Sequence, residues 1–473
     1  MKYKIIYMAM WVGTLLSGCM TVGPDYRRPA IETSNVWPGE TSTASVPSQW
    51  WREYNDSELD AMIEEALAHN EELKLAIARV DEARAALGIA RADQFPGLSA
   101  NASGLQNQIS QKTGLGAPPG ADPIYGNVRA ALNTSYEIDF WGKYRRASEA
   151  ARAILLSTQF SREAVRLTLI GDLSRSYFNM RALDAQIAVA RRAISTRFES
   201  LDLQRKRFDA GVVSELDLRQ VEAEAAAAQA LLPSLENRLA QQETAILVLL
   251  GRSPRAILST APGRGASIDR LAVPPAVPAG LPSDLLERRP DLRQAEEELI
   301  ASNARIGQAR AAFFPSISLT GFLGGESAVL ADLFTAPAGI WMASASAAQN
   351  IFEGGRTVSQ VSAAQAREQQ ALARYQAGIQ NAFRDTLNAL VAQRKAKETL
   401  EANQTRVTAL TRALTLARLR YDSGVASLLD LLDVERGLLD AELNRIEAQR
   451  AQLAATVDLY KALGGGWKSD TIR

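Results

Sequence analysis

Residues 420–435 read RYDSGVASLLDLLDVE, and residues 207–222 read RFDAGVVSELDLRQVE. Ten of these 16 aligned positions are identical, at an offset of 213 residues. Before each copy runs a very long helical stretch, roughly 142–210 and 354–422. Leu372, Tyr375, Ile379, Phe383, Leu387 and Leu390 are spaced 3, 4, 4, 4 and 3 apart, a coiled-coil-like stripe. About 65 residues of helix at ~1.5 Å each span on the order of 100 Å. After each copy a return helix of about 35 residues is expected at the same ~3.6-residue period. In the second copy Leu439, Leu443, Ile446, Leu453, Val457 and Tyr460 carry that period. Gly211 and Gly424 sit where a helix must stop and reverse, which is a glycine position. The quoted stretch therefore reads as the tip of a long helical hairpin, built twice.

The duplication extends beyond the tips. NEELKLAIARV (70–80) aligns with RPDLRQAEEEL (289–299), and LGIARADQFPGLS (87–99) with IGQARAAFFPSIS (306–318), both at an offset of 219. FWGKYR (140–145) aligns with FEGGRT (352–357) at 212. Constant order with small shifts marks duplicated structure with loops of different length. The chain divides accordingly into a first repeat (57–259), a Pro/Gly-rich connector (260–282), a second repeat (283–463) and a tail (464–473). Each repeat opens with a helix, 57–93 or 283–312, ended by Phe95-Pro96 or Phe314-Pro315.

Strand-like runs follow these helices. Val128, Ala130, Leu132, Thr134, Tyr136, Ile138 and Phe140 alternate with Arg129, Ala131, Asn133, Ser135, Glu137 and Asp139, giving one apolar and one polar face. Residues 98–103 and 316–321 repeat the pattern, and 340–351 repeats it weakly. Four strands cannot close a barrel, and an open sheet in lipid leaves backbone groups unpaired at several kcal/mol each. If the strands lie in a membrane, several chains must pool them, and three chains would give twelve. A four-stranded layer beneath the helices, in water, is the competing reading.

The N-terminus is a targeting segment. Lys2 and Lys4 precede the apolar run Ile5 to Leu16, too short for a spanning helix and suited to a signal peptide over 1–18. Leu16-Ser17-Gly18-Cys19 has the form of a bacterial lipobox, which makes Cys19 the lipidated first residue of an extended mature segment, 19–56. Acyl chains contribute roughly 0.8 kcal/mol per buried CH₂, and more than one makes a stable membrane anchor. Met20, not Asp, follows the Cys, and by resemblance to bacterial lipoproteins in general that implies the outer membrane. Cys19 is the only cysteine and His69 the only histidine, so a disulfide within the chain is excluded and a Cys/His zinc cluster lacks ligands. His-dependent catalysis would have to use His69, which lies among charged and polar helix-forming residues as a solvated surface histidine. Lys+Arg and Asp+Glu balance at 53 each, which gives no reason to expect a nucleic-acid partner. Neither a phosphate-binding loop nor any cofactor motif is present: GGES (324–327) and GGGW (464–467) lack the following Lys-Ser/Thr.

Several motifs together resemble one family. These are LSGCMTVGPDYRRP (16–29), the paired FP sites, LPSDLLERRPDLRQAE (281–296), IFEGGR (351–356) and YDSGVASLLDLLDVE (421–435). The chain resembles the TolC-like outer membrane factors, in their lipoprotein (OprM/NodT-type) branch. That resemblance implies a mainly α fold with a membrane β part. Long α-helical hairpins would form a periplasmic tunnel, and four strands per chain would complete a 12-stranded barrel in a homotrimer. It also implies a periplasmic adaptor and an inner-membrane transporter, proton-driven, as partners, with no enzyme activity. Carboxylates near the tip form narrowing rings in the family, and the matching positions here are Asp430 and Asp433. Tyr421 and Asp217 match a pair that locks the closed state, while Ala426 stands where a family arginine completes that lock. The implied function is the exit duct of a tripartite efflux system. A pore-free periplasmic lipoprotein scaffold and a protein-secretion duct are the alternatives.

Overall fold

Where the sequence leads one to expect a single helix at the start of each repeat, the chain forms two. The computed structural model describes residues 21–32, 46–110, 112, 122–274 and 282–467. The signal peptide and Cys19 lie outside these residues. Helix α1 (Ser57–His69) is separated from α2 (Glu71–Ala92) by the extended residue Asn70. The Asn70 side chain accepts from the Leu73 amide (3.0 Å) and donates to the Leu249 carbonyl (2.9 Å), capping α2. The first repeat ends in a short helix, α5 (Pro254–Ser259), and in the second repeat a short helix, α6 (Leu285–Arg288), precedes α7 (Pro290–Ala311). The break between α6 and α7 falls at Arg289, which Pro290 holds extended. Asn70 and Arg289 are aligned positions of the repeat, so both copies break at the same place by different chemistry.

The long helices α3 (Lys143–Asp209) and α8 (Arg356–Asp422) each have 67 residues. Their return helices α4 (Glu215–Leu249) and α9 (Leu428–Ala462) each have 35. None of the described helices is long and apolar enough to cross a membrane.

The chain contacts divide into two units. One comprises residues 1–29, 81–157 and 295–375 and holds all four strands. They are β1 (Gly97–Gln108), β2 (Ile124–Ile138), β3 (Ser316–Ser327) and β4 (Gly339–Ala348), antiparallel in the order β1-β2-β3-β4. The register aligns the alternation across the sheet: Ala100 faces Leu132, Leu132 faces Leu323, and Leu323 faces Trp341. This apolar face is uncovered within the chain, with Leu98 73%, Leu323 65% and Trp341 76% exposed. The opposite face carries Arg129 beside Glu326 (3.7 Å) and over the ring of Phe322 (4.4 Å). Strand β2 ends at Ile138, two residues short of the expected Phe140. The reason is local: Asp139 accepts from the amides of Tyr144 and Arg145 (3.2 and 2.9 Å) and so starts α3.

An N-terminal strap lies in the same unit. Val22 donates to the Trp141 carbonyl (3.0 Å), Asp25 pairs with Arg146 (2.7 Å), and Arg28 grips Glu296 through two hydrogen bonds (2.6 and 2.8 Å). Gly23 and Gly307 pass so closely that a Cβ on Gly23 would lie 2.4 Å from the Gly307 Cα, so neither position admits a side chain.

The second unit comprises residues 30–80, 158–294 and 376–473. Its core gathers around Trp50–Tyr54, a 3₁₀ turn within the stretch expected to be extended. Trp50 stacks on Tyr460 at 4.9 Å, and Tyr54 leans on Phe178 at 4.8 Å. Burial pushes the Tyr460 phenol up to about 12. Asp56 joins three segments here. It accepts from the amides of Glu58 and Leu59, capping α1, from the Tyr177 hydroxyl of α3 (2.7 Å), and from the Ala266 amide of the connector (3.0 Å).

Asp56→Ala removes a helix cap and leaves a buried hydroxyl unanswered, so a loss of about 3 kcal/mol is expected. Tyr177→Phe removes one hydrogen bond cleanly and should cost about 1 kcal/mol. Denaturant unfolding followed by circular dichroism checks both. Equal losses from the two variants would show that the cap contributes nothing.

Candidate functional site

The two hairpin tips are built alike to the level of single hydrogen bonds. At the end of α3 the amide of Gly211 donates to the Phe208 carbonyl (2.8 Å), and that of Val212 to Arg207 (2.9 Å). At the end of α8 Gly424 donates to Tyr421 and Val425 to Arg420, both at 2.9 Å. This is the Schellman arrangement, which needs a left-handed residue one position past the helix. Gly211 and Gly424 occupy it with φ of 73° and 72°. No atom within 4 Å would meet an added Cβ at either glycine, so the requirement is purely conformational, about 1 kcal/mol for a residue with a side chain.

The return helices start alike too. Ser214 and Ser427 are N-caps, and Asp217 and Asp430 stand three residues on in capping boxes. The Asp430 carboxylate accepts from the Ser427 amide (3.0 Å) and hydroxyl (2.8 Å), while the Asp430 amide donates to the Ser427 hydroxyl (3.2 Å). Hydrogen bonds from the Ser427 side chain and then its backbone hold the Asp430 carboxyl below the usual carboxylate range. Asp433, one turn further along α9, is exposed and has no hydrogen bond or ion pair among the described residues.

The Asp217 carboxylate is occupied by Ser214, accepting from its amide (3.2 Å) and hydroxyl (2.8 Å). It shares no hydrogen bond with Tyr421. The Tyr421 hydroxyl instead accepts from Gln204 Nε2 (2.6 Å) and Arg207 (3.4 Å) on α3, so it does tie the second hairpin to the first. Gln204 is only 3% exposed, and its amide oxygen is buried without a partner. Sequence reasoning missed Gln204, because a lone glutamine in a striped helix carries no signal of its own. Below this tie Leu201, Leu218, Val221, Ala225, Leu428 and Leu432 bury one another, with Tyr421 packed against them.

Charged pairs repeat with the tips. Arg205–Glu222 (3.2 Å) in the first hairpin and Arg418–Glu435 (3.0 Å) in the second occupy aligned positions. Glu224 receives Arg197 (3.3 Å) from α3 and Arg436 (3.0 Å) from α9, joining the hairpins. Beyond the turns, Val212, Leu216, Val425 and Leu429 are exposed at equivalent positions. Nothing at the tips resembles a catalytic set, His69 is exposed on α1, and among the described residues no acidic, His or Cys cluster could hold a metal.

Proteins already characterised resemble the chain over nearly its whole length. A family profile described as "Outer membrane efflux protein" matches residues 62–252 and 281–465. The chain is 34% identical over 477 residues to the solvent efflux pump outer membrane protein SrpC of Pseudomonas putida, covering 99% of each. It is 31% identical over 473 residues to a probable outer membrane lipoprotein, SilC, of Salmonella typhimurium, covering 98% of this chain and 99% of the other. The solved CmeC outer membrane channel of Campylobacter jejuni superposes with a TM-score of 0.90 at 27% identity, covering 95% of each chain.

Asp430 sets a pH window for the tip. Its carboxyl is depressed in the folded chain, so its contribution is fully present above the ordinary unfolded value of about 3.9. The contribution is lost as pH falls through the lower folded value. Hydrogen exchange of residues 421–435, corrected for intrinsic rates, should be unchanged from about pH 7 to pH 5 and accelerate below about pH 4. Ser427→Ala should cost about 1 kcal/mol at neutral pH and shrink the acid-dependent acceleration, because the Ser427 hydroxyl is the main cause of the depressed carboxyl.

Proposed function

The chain belongs to the outer membrane efflux protein family, and from that premise we propose that three copies form a closed duct gated at the hairpin tips. The observation that carries this reading is the sheet. Among the described residues its apolar face is uncovered, and β1 and β4 each have only one neighbouring strand. An outer-membrane chain cannot leave a strand edge open in lipid, because each unanswered N–H or C=O costs several kcal/mol. Pairing β4 of one copy with β1 of the next removes every edge, and three copies of four strands give a twelve-stranded barrel. The apolar face then meets lipid, and the Arg129–Glu326 face lines the pore.

Cys19 carries the lipid anchor in this reading. Two residues separate it from the strap that begins at Val22, and the similarity to a protein named as a lipoprotein supports it. The exposed apolar residues at the tips, Val212, Leu216, Val425 and Leu429, are the surface on which a periplasmic adaptor docks. An inner-membrane transporter supplies the energy. The duct itself is passive, performs no chemistry, and passes small toxic molecules outward.

Gate and lock have separable parts. Asp433 has its charge free and converges with its copies on the axis, so it supplies the cation-selective ring. Asp430 adds to the ring while also holding its helix start. Tyr421 latches the inner hairpin through Gln204 and Arg207, and Asp217 joins that latch only after leaving Ser214.

Planar-bilayer recording tests the duct. A trimer that survives mild SDS should give a small, cation-selective conductance. Asp433→Ala should lower the selectivity without loosening the tip, and Asp430→Ala should do both. No conductance from a folded trimer would return the pore-free scaffold. In cells, Tyr421→Phe with Asp217→Ala should admit large antibiotics, and Gln204→Ala should do the same. Unchanged antibiotic entry at normal protein level sinks the latch.

A further inference from the structure

One cavity of the helical unit is not used by the gate. It measures about 720 Å³ and lies between α3, α4 and α9, within the size range of small-molecule sites. Its charges are unequal: Arg175, Arg238 and Arg450 line it against a single acid, Glu447. Arg175 is already held by Asp172 (3.1 Å) and Asp458 (2.8 Å), and Arg450 by Glu447 (3.0 Å). Arg238 is exposed and makes no ion pair among the described residues. Gln186 also lines the cavity, is 7% exposed, and has its amide oxygen buried without a hydrogen-bond partner. An amide can turn either end toward a ligand, so Gln186 supplies a donor or an acceptor. Leu231, Leu235 and Leu443 give the cavity an apolar wall.

The side of the wall is fixed by α3. Tyr177 and Arg181 of that helix bond outward to Asp56 and to the Gly265 and Ala266 carbonyls, and Asp184 pairs with Arg264. At about 100° per residue, Arg175, Asn179 and Gln186 lie on the opposite side of α3. The cavity therefore opens away from the segments that wrap the helices.

We propose that this cavity is a transit site for amphipathic organic carboxylates on the inner wall of the duct, reached when the gate at the tips opens and its carboxylates move apart. The inference rests on the duct reading given above. The carboxylate sits on the Arg238 guanidinium, which presents a fork of donors matched to two oxygens. The apolar body lies on the leucine wall, and Gln186 completes its hydrogen bonding to the ligand's polar edge. A cation finds no unpaired acid among the lining residues, since Glu447 is occupied by Arg450.

The test is a titration of 1-naphthoate into the full-length protein in amphipol, with 1-naphthamide as the neutral match of the same shape. Naphthoate should bind saturably, and Arg238→Gln should weaken it about tenfold or more, the loss of one charge-assisted pair. Naphthamide should bind weakly to both proteins. Gln186→Leu should weaken naphthoate less than Arg238→Gln does. Arg238 is exposed and unpaired, so its replacement leaves the fold intact, which a matching unfolding curve verifies. An unchanged naphthoate affinity in Arg238→Gln, or no saturable binding to the folded wild type, overturns the site. Bilayer conductance of the same wild-type preparation is read separately. A protein that conducts without binding keeps the duct and loses the site. One that binds without conducting keeps the site and loses its role in transit.

Discussion

Backbone hydrogen-bonding groups that meet no water must meet each other, and this constraint governs the molecule at both kinds of chain end. Each 67-residue helix finishes with carbonyls that have no partner in the next turn. Two of them are answered by the amides of the glycine and of the residue after it. At the return helix the N-cap serine amide and the aspartate amide three residues on are answered by the aspartate and serine side chains. The answer is local, and water meets the groups left over, so a hairpin tip can stand in solvent without outside support. The sheet has no such answer. Its two edge strands, β1 and β4, each pair on one side only among the described residues. The same physics that makes the tips self-sufficient makes the strands depend on other copies.

Duplication explains why both solutions occur in pairs, and divergence explains what each copy does. The turns of the two hairpins share dihedral angles, caps and flanking ion pairs. They differ in the residues that cross between hairpins. Tyr421 occupies the position where the first copy has Phe208, and only the tyrosine has a hydroxyl to place on Gln204. Leu432 and Asp433 stand where the first copy has Arg219 and Gln220. One copy thus keeps a solvated outer face, and the other gains both a buried leucine and an exposed carboxylate. A duplicated support became an asymmetric one through a few side chains.

Asp56 and the capping aspartates show how one carboxylate can serve several partners. Asp56 joins a helix start, a long helix and the connector because its two oxygens accept from four donors. Hydrogen bonds from its own cap hold the Asp430 carboxyl below the usual carboxylate range, so its charge persists to lower pH than that of an ordinary aspartate. Structural and functional roles are not alternatives for such a residue. The geometry that caps the helix is also what fixes where the charge stands.

Much of this was legible in the residues. Alternation with period two determined which side chains share a face of the sheet, because successive side chains of a strand point to opposite sides whatever the strand pairs with. Glycines at aligned positions determined the reversals, because only glycine enters the left-handed region cheaply. Proline placed the break before α7. Other features have no local signature. Asn70 is one polar residue among many until Leu249 comes beside it. The family resemblance pairs Tyr421 with Asp217, and nothing local to either residue points to Gln204. Asp217 is the better acid by type, yet its own N-cap reaches it first, across three residues of chain, and leaves Gln204 to meet the phenol. The sequence by itself determined the elements, their order and their faces, since these follow from backbone sterics and spacing over a few residues. Tertiary structure alone decided the partners, since which donor meets which acceptor depends on groups brought together from positions hundreds of residues apart.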